Sequence, residues 1–156
     1  MFCKLLAKKK YLISAVSILF AFSDASCRQF ASLRSSKINL RVGPGEEFPV
    51  SWVFIRAGLP VKFIAEFQQW RKIQCHDGTE GWVHQNMISG RNMAIVMSDK
   101  ALLYEKSSTS YPKAKVEKNV IVRVLKIDEQ WAKVDVNKLK GWMKISDIWG
   151  VNVDNS

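Results

Sequence analysis

The side chains with catalytic potential in this chain are few. Cys75 adjoins His76, and His84 follows a little further on, so a thiol-imidazole pair and a Cys/His metal site are the first chemistries to weigh. A nucleophilic thiol needs its base within hydrogen-bond reach. If Cys75 and His76 lie within a strand, as the surrounding alternation suggests, their side chains point to opposite faces and the imidazole cannot serve the thiol. Zinc would need four ligands at turn-compatible spacing, and Cys75, His76 and His84 supply three with no Cys-x-x-Cys pair. No Ser-His-Asp ordering suggests a hydrolytic triad, and these residues leave no room for a separate catalytic domain. The reading is of a non-enzyme with no metal and no cofactor, in which chemistry means binding.

The elements that would carry a binding surface come from an internal repeat at a spacing of about sixty residues. One copy runs from about Lys37 to Ile88 and the other from about Lys100 to Ile148. Each opens on an alternating pair, Ile38 and Leu40 or Ala101 and Leu103, and then a loop ending in an aromatic-proline dipeptide, Phe48-Pro49 or Tyr111-Pro112. A turn at Gly58 or Lys118-Asn119 precedes an apolar alternation: Val61, Phe63 and Ala65, or Val120, Val122 and Val124. Next come Trp70-Arg71-Lys72-Ile73 and Trp131-Ala132-Lys133-Val134. Polar turns follow at Asp77-Gly78-Thr79-Glu80 and Asn137-Lys138-Leu139-Lys140, before the closing elements Gly81-Trp82-Val83-His84 and Gly141-Trp142-Met143-Lys144. Asp-Gly between alternating residues is a hairpin signal, so Trp70 and Trp82 belong on paired antiparallel strands, with Cys75 in mid-strand. Five short strands per copy, with hardly any helical period, predict an all-β chain of two small closed barrels joined at Ser89-Gly90-Arg91-Asn92. A barrel of some 55 residues is marginal alone, so its large residues have a packing job before any other.

The first 25 residues stand apart from this fold. Lys4 and the run Lys8, Lys9, Lys10 precede an apolar stretch from Tyr11 to Phe22, and Ser23 and Ala25 occupy the small positions of a cleavage site before Ser26. That is signal-peptide anatomy, with an apolar run too short for a comfortable membrane span. The expectation is an exported protein, periplasmic or secreted, with no membrane span after cleavage; an uncleaved anchor is the alternative, and Asp24-Ala25-Ser26 is a poor context for lipid attachment at Cys27. Of 156 residues, 24 are Lys or Arg and 14 Asp or Glu, a net charge of +10; without residues 1–25 the balance is 20 to 13, or +7. Those charges are scattered, which fits a solvated surface better than a polyanion site, and export makes nucleic acid the least suitable partner. Cys27 and Cys75 could pair in an oxidising compartment. The residues settle neither that pairing nor the oligomeric state.

The string Ile38-Asn39-Leu40-Arg41-Val42-Gly43-Pro44-Gly45, with Phe48-Pro49, Gly58, Trp70 and Gly81-Trp82-Val83-His84 in order, resembles the bacterial SH3 domain family. The resemblance spans roughly residues 34 to 150, and the Gly90-Arg91 joint is similar to that of tandem versions from alphaproteobacteria. It implies SH3-like barrels over 34–90 and 91–150 after a signal peptide at 1–25. It also implies recognition of peptidoglycan peptides or another envelope component through a groove beside the opening loop. An adaptor binding an envelope protein, without wall affinity, is the alternative. On that implication the binding residues are Arg41, Glu46, Glu47, Phe48, Trp52 and Trp70: aromatics offer stacking area at little entropy cost, and the acids could meet an amine. Trp82 and Trp142 read as packing residues, Trp70 and Trp131 as divided between packing and groove, and Trp149 as a cover on the end of the second barrel. Trp52 has no aromatic counterpart in the second copy. That copy also lacks the Arg and Gly-Pro-Gly of the first in its loop Tyr104–Ser110, so it is a degenerate copy that binds differently or serves only to stabilise the first.

Overall fold

The computed structural model describes residues 28–108 and 111–152; the expected signal peptide, its expected cleavage site and any Cys27–Cys75 pairing lie outside them. The first sheet comprises β1 (Phe30–Leu33), β2 (Ile38–Arg41), β3 (Val50–Phe54), β4 (Pro60–Phe67), β5 (Trp70–Gln74), β6 (Glu80–His84) and β7 (Ile88–Ser89), with a 3-10 turn at Gln85–Met87. The second comprises β8 (Met93–Val96), β9 (Leu102–Tyr104), β10 (Pro112–Lys115), β11 (Ile121–Asp128), β12 (Trp131–Val136), β13 (Leu139–Lys144) and β14 (Ile148–Trp149), with a 3-10 turn at Ile145–Asp147. Both are antiparallel with the same order, β3-β2-β6-β5-β4-β1-β7 and β10-β9-β13-β12-β11-β8-β14. The chain is all-β, two SH3-like barrels in tandem.

Each copy has seven strands, where alternation predicts five. The first strand, which begins at Phe30 ahead of residue 34, escaped because it does not alternate: Ala31, Ser32 and Leu33 are all buried. Ala31 and Leu33 face the first core, Ser32 is buried beside Ser89, and Phe30 meets Trp149 and Asn152 of the second copy, so no position is left for a solvated residue. Ser32, the polar member, donates its hydroxyl to the Ser89 carbonyl at 3.3 Å.

Turn chemistry differs between the copies while the path is kept. The left-handed position before the long strand is Gly58 (φ 76°) in one and Asn119 (φ 65°) in the other, and each donates its N–H at 2.8 Å, to Leu33 and Val96 respectively. The second hairpin closes on Asn137 and Lys138, both at positive φ (51° and 76°), as a two-residue turn of the twist-compatible kind requires. Gly81 and Gly141 answer a different need. A Cβ on Gly81 would lie 2.5 Å from the Leu40 side chain, and one on Gly141 2.6 Å from that of Leu103. These glycines let β2 and β9 cross the closing strands at core distance, which gives the Gly-Trp pair of both copies its structural reason.

Leu33, Ile38, Leu40, Val61, Ile73 and Val83 fill the first core; Val96, Leu103, Val122, Val134 and Met143 fill the second. The cores are not independent. Ile95, fully buried on β8, packs into the first cluster, with Met97, Ile121 and Trp149 against it. Trp149 therefore does not simply cap the second barrel: it meets Phe30 edge-on with ring centroids 5.0 Å apart and lies 6.3 Å from the His76 ring. Asn152 continues the join, accepting the Phe30 N–H at 2.8 Å and donating to the Phe30 carbonyl at 3.1 Å.

Candidate functional site

The outer face of the first barrel is laid down by register. Ile73 and Val83 point into the core, so on the same strands Trp70, Lys72, Trp82 and His84 point out. Pairing sets Trp70 opposite His84 and Lys72 opposite Trp82, and Arg41 of β2 opposite Trp82. The Trp70 and His84 rings meet edge to face at 5.6 Å and 88°. His84 is fixed on both nitrogens. The Asn86 N–H donates to Nδ1 at 3.3 Å, which leaves Nε2 of the neutral ring to donate to Gln69 Oε1 at 2.9 Å.

A cleft of about 310 Å³ opens beside this pair, lined by Lys37, Ile38, Asn39, Arg41, Glu46, Trp70, His84 and Met87. One of its walls is the opening loop, held by a single side chain. Nη1 of Arg41 donates to the carbonyls of Glu46 at 2.9 Å and Phe48 at 2.7 Å, so Arg41 shapes the wall with donors that a ligand would otherwise receive. The loop glycines act as seats. The Phe48 ring lies where a Cβ on Gly43 would go, and the Glu47 carboxylate where one on Gly45 would go.

Six residues were expected to form one surface, and the structure separates them. Arg41, Glu46 and Trp70 line the cleft. Glu47 and Phe48 fold back onto the loop, and Trp52 stands 61% exposed on β3, an edge strand, which pairs with β2. The residues that sequence reasoning missed are Lys37, Ile38, Asn39, His84 and Met87. His84 was not readable from the turn: counting back from a two-residue Asp77-Gly78 turn sets Trp70 opposite Gln85, whereas the observed connection, Cys75 to Thr79, sets it opposite His84. Lys37 and Met87 join only because the barrel closes, which no local pattern reports.

The Cys75-His76 pair is resolved by position. Cys75 is not mid-strand; β5 ends at Gln74, and Cys75 opens the turn, its N–H donating to Thr79 at 2.9 Å and its carbonyl accepting from Gly78 at 3.0 Å. Its side chain is 3% exposed, and burial, with a smaller contribution from nearby Asp77, pushes the thiol up to about 12. A nucleophilic cysteine needs the reverse shift. His76 turns instead towards Trp149. Asp77 is held below its usual range, first by the Thr79 backbone N–H at 2.9 Å. Glu80 is lowered by its contact with Lys72 at 2.8 Å, then by that charge and by Gln74. Among the described residues no group of three or more His, Cys, Asp or Glu side chains could hold a metal ion.

The family described as Bacterial SH3 domain matches residues 34–90 and 100–150. The chain belongs to the bacterial SH3 domain family. Both barrels are covered, including the second, whose opening loop departs from the pattern. No curated protein matches the chain. Solved structures similar to it include an NlpC/P60 family protein from Bacillus cereus, at 15% identity and a TM-score of 0.36, covering 76% of this chain and 55% of that one. NlpC2 from Trichomonas vaginalis is similar at 9% identity and a TM-score of 0.35, covering 77% and 47%, and NlpC1 from the same organism at 9% and 0.34, covering 78% and 45%. The chain thus spans about half the length of these proteins. No helix of the described residues is long and apolar enough to cross a membrane.

Proposed function

We propose that this bacterial SH3 protein is an exported, non-catalytic binding module. In this reading its first barrel takes a short peptide of peptidoglycan, or of another envelope component, in the cleft beside Trp70. The observation that carries the reading is the Trp70–His84 pair set against Glu46 on a loop clamped by Arg41. A T-shaped aromatic pair gives a rigid apolar wall that needs little ordering on binding. Lys37 and Glu46, of opposite sign, are positioned to orient a peptide bearing a carboxylate and an amine.

The test is a pull-down of the exported chain with purified sacculi at physiological salt. Saturable binding that falls in Trp70→Ala and Glu46→Gln but survives in Trp52→Ala supports the cleft. A folded protein that does not bind, or variants that bind like wild type, overturns the wall-binding reading.

A second reading, an adaptor for an envelope protein, is favoured by a different observation. The edge strand β3 carries exposed Val50, Trp52 and Val53, with Ile55 just beyond it, and an extended partner segment could add to such an edge. Capture of an envelope protein that is lost in Trp52→Ala and kept in Trp70→Ala would favour this reading over the cleft.

A further inference from the structure

The second barrel keeps the tryptophan of the first and changes what surrounds it. Trp131 stands opposite Lys144 as Trp70 stands opposite His84, and the bond from the Ile145 N–H to the Gln130 carbonyl at 2.9 Å repeats that from Gln85 to Gln69 at 2.8 Å. The aromatic partner has moved, however. Tyr104, which pairs with Trp142 as Arg41 does with Trp82, meets Trp131 edge-on at 5.4 Å and 89°. Tyr104 is 8% exposed, so it fills the loop side of Trp131, where the first barrel has its cleft.

The other side of the tryptophan opens in compensation. In the first barrel that side is bridged by the Gln69–His84 bond and by Arg71 donating to Gln85 Oε1 at 3.4 Å. In the second, Lys144 stands in place of His84, and no hydrogen bond among the described residues joins it to Gln130. What results is a cleft of about 410 Å³ between Trp131, the hairpin residues Glu129 and Gln130, and the 3-10 turn at Ile145 and Ser146, with Lys144 on its wall. Glu129 and Lys144 are exposed, and neither forms an ion pair among the described residues. An indole platform thus lies between an unpaired carboxylate and an unpaired ammonium.

We infer that the second barrel carries its own binding site, at Trp131, for a short zwitterionic peptide whose carboxylate meets Lys144 and whose ammonium meets Glu129. The site lies on the opposite side of its tryptophan from the first-barrel cleft, so the copies are not duplicates. It does not depend on the first cleft's being a binding site, and the test separates the two.

The probe is alanyl-alanine, followed through the indole N–H resonances of the 15N-labelled exported chain, with the Trp131 and Trp70 signals assigned from Trp131→Phe and Trp70→Phe. The site predicts a saturable shift of the Trp131 signal that persists in Trp70→Phe. Lys144→Gln and Glu129→Gln should each weaken binding about three- to fivefold, the scale of an exposed ion pair. N-acetylated alanyl-alanine and alanyl-alanine amide, each lacking one charge, should weaken it by a similar factor. Both charge variants alter solvated side chains, and an unchanged dispersion of the remaining resonances verifies their fold. No saturable shift at Trp131, or a shift equal in wild type, Lys144→Gln and Glu129→Gln, overturns the proposal.

Discussion

Trp149, at the end of the second barrel, packs edge-on against Phe30 at the start of the first, with ring centroids 5.0 Å apart and planes at 78°. The last described strand thereby closes on the first. Each barrel alone is small enough to be marginal, and the shared cluster of Ile95, Ile121 and Trp149 removes apolar surface that neither would bury alone. The two should therefore unfold together. A single denaturation transition is expected, with Trp149→Ala lowering stability by about 2–3 kcal/mol, below the range for a fully buried aromatic because Trp149 is only half-buried. Two transitions in wild type, resolved by calorimetry, would contradict this coupling.

Much of this architecture was legible because the repeat repeats its punctuation. Gly81-Trp82 and Gly141-Trp142 mark the same close crossing, and Gly58 and Asn119 the same left-handed turn, each a local demand that a residue type can answer. The joint surface was not legible. Phe30 to Leu33 show no alternation because both sides are covered, and Trp149 looked like an end cap because its partner, Phe30, lies over a hundred residues away. The site was half legible for the same reason. Trp70 and Arg41 announce themselves by type, but that Arg41 is engaged on loop carbonyls, and that Trp52 does not line the cleft, depends on how the barrel closes.

The crossing glycines make a sharp stability prediction. Gly81→Ala and Gly141→Ala each force a methyl group against a buried leucine and a strand carbonyl, and each should cost about 1–3 kcal/mol, the range for overpacking. Gly78→Ala is the control: a Cβ there meets nothing within 4 Å, so its cost is confined to the left-handed backbone (φ 86°), of order 1 kcal/mol. Urea denaturation of the three variants should rank both crossing glycines above the turn glycine. The reverse order would mean that the closing strand shifts freely.

Arg41 should act through the loop. Methionine removes both of the donors that Nη1 supplies, so Arg41→Met should speed hydrogen exchange of the Val42 and Phe48 amides about fivefold, a loss of about 1 kcal/mol of local anchoring. Those amides bond to Pro49 at 3.1 Å and Gly45 at 3.4 Å. Ile73 and Val83, deep in the sheet, should keep their protection. Unchanged exchange in the loop would mean that the Phe48-Gly43 seat holds it without the arginine.

Cys75 gives the chain a dependence on alkaline pH. Its thiol is raised from the ordinary 9.0 to about 12 in the folded state, so its contribution to stability is complete below about pH 9. It is then lost as pH rises towards 12, while the unfolded thiol ionises and the folded one does not. The stability difference between wild type and Cys75→Ala should hold constant from pH 6 to pH 8 and narrow beyond pH 9. Alkylation of Cys75 at pH 8 should be slow in the native protein and rapid in urea. Rapid native alkylation at that pH would show the thiol to be accessible.

The equivalent edge strands β3 and β10 are guarded unequally, and that difference should govern association. β10 presents Pro112, Lys113 and Lys115, the charges and proline that discourage strand addition. The equivalent β3 presents Val50, Trp52 and Val53, each at least 42% exposed. Val53→Lys should therefore reduce association on warming, followed by light scattering at fixed protein concentration. Lys115→Val, which removes a guard from the other edge, should increase it. Val53 is exposed, so its substitution should leave the denaturation midpoint within experimental error of wild type, and a change in scattering can then be attributed to the edge. If both variants scatter like wild type, association proceeds through another surface and the apolar row on β3 is not the exposed liability its burial pattern indicates.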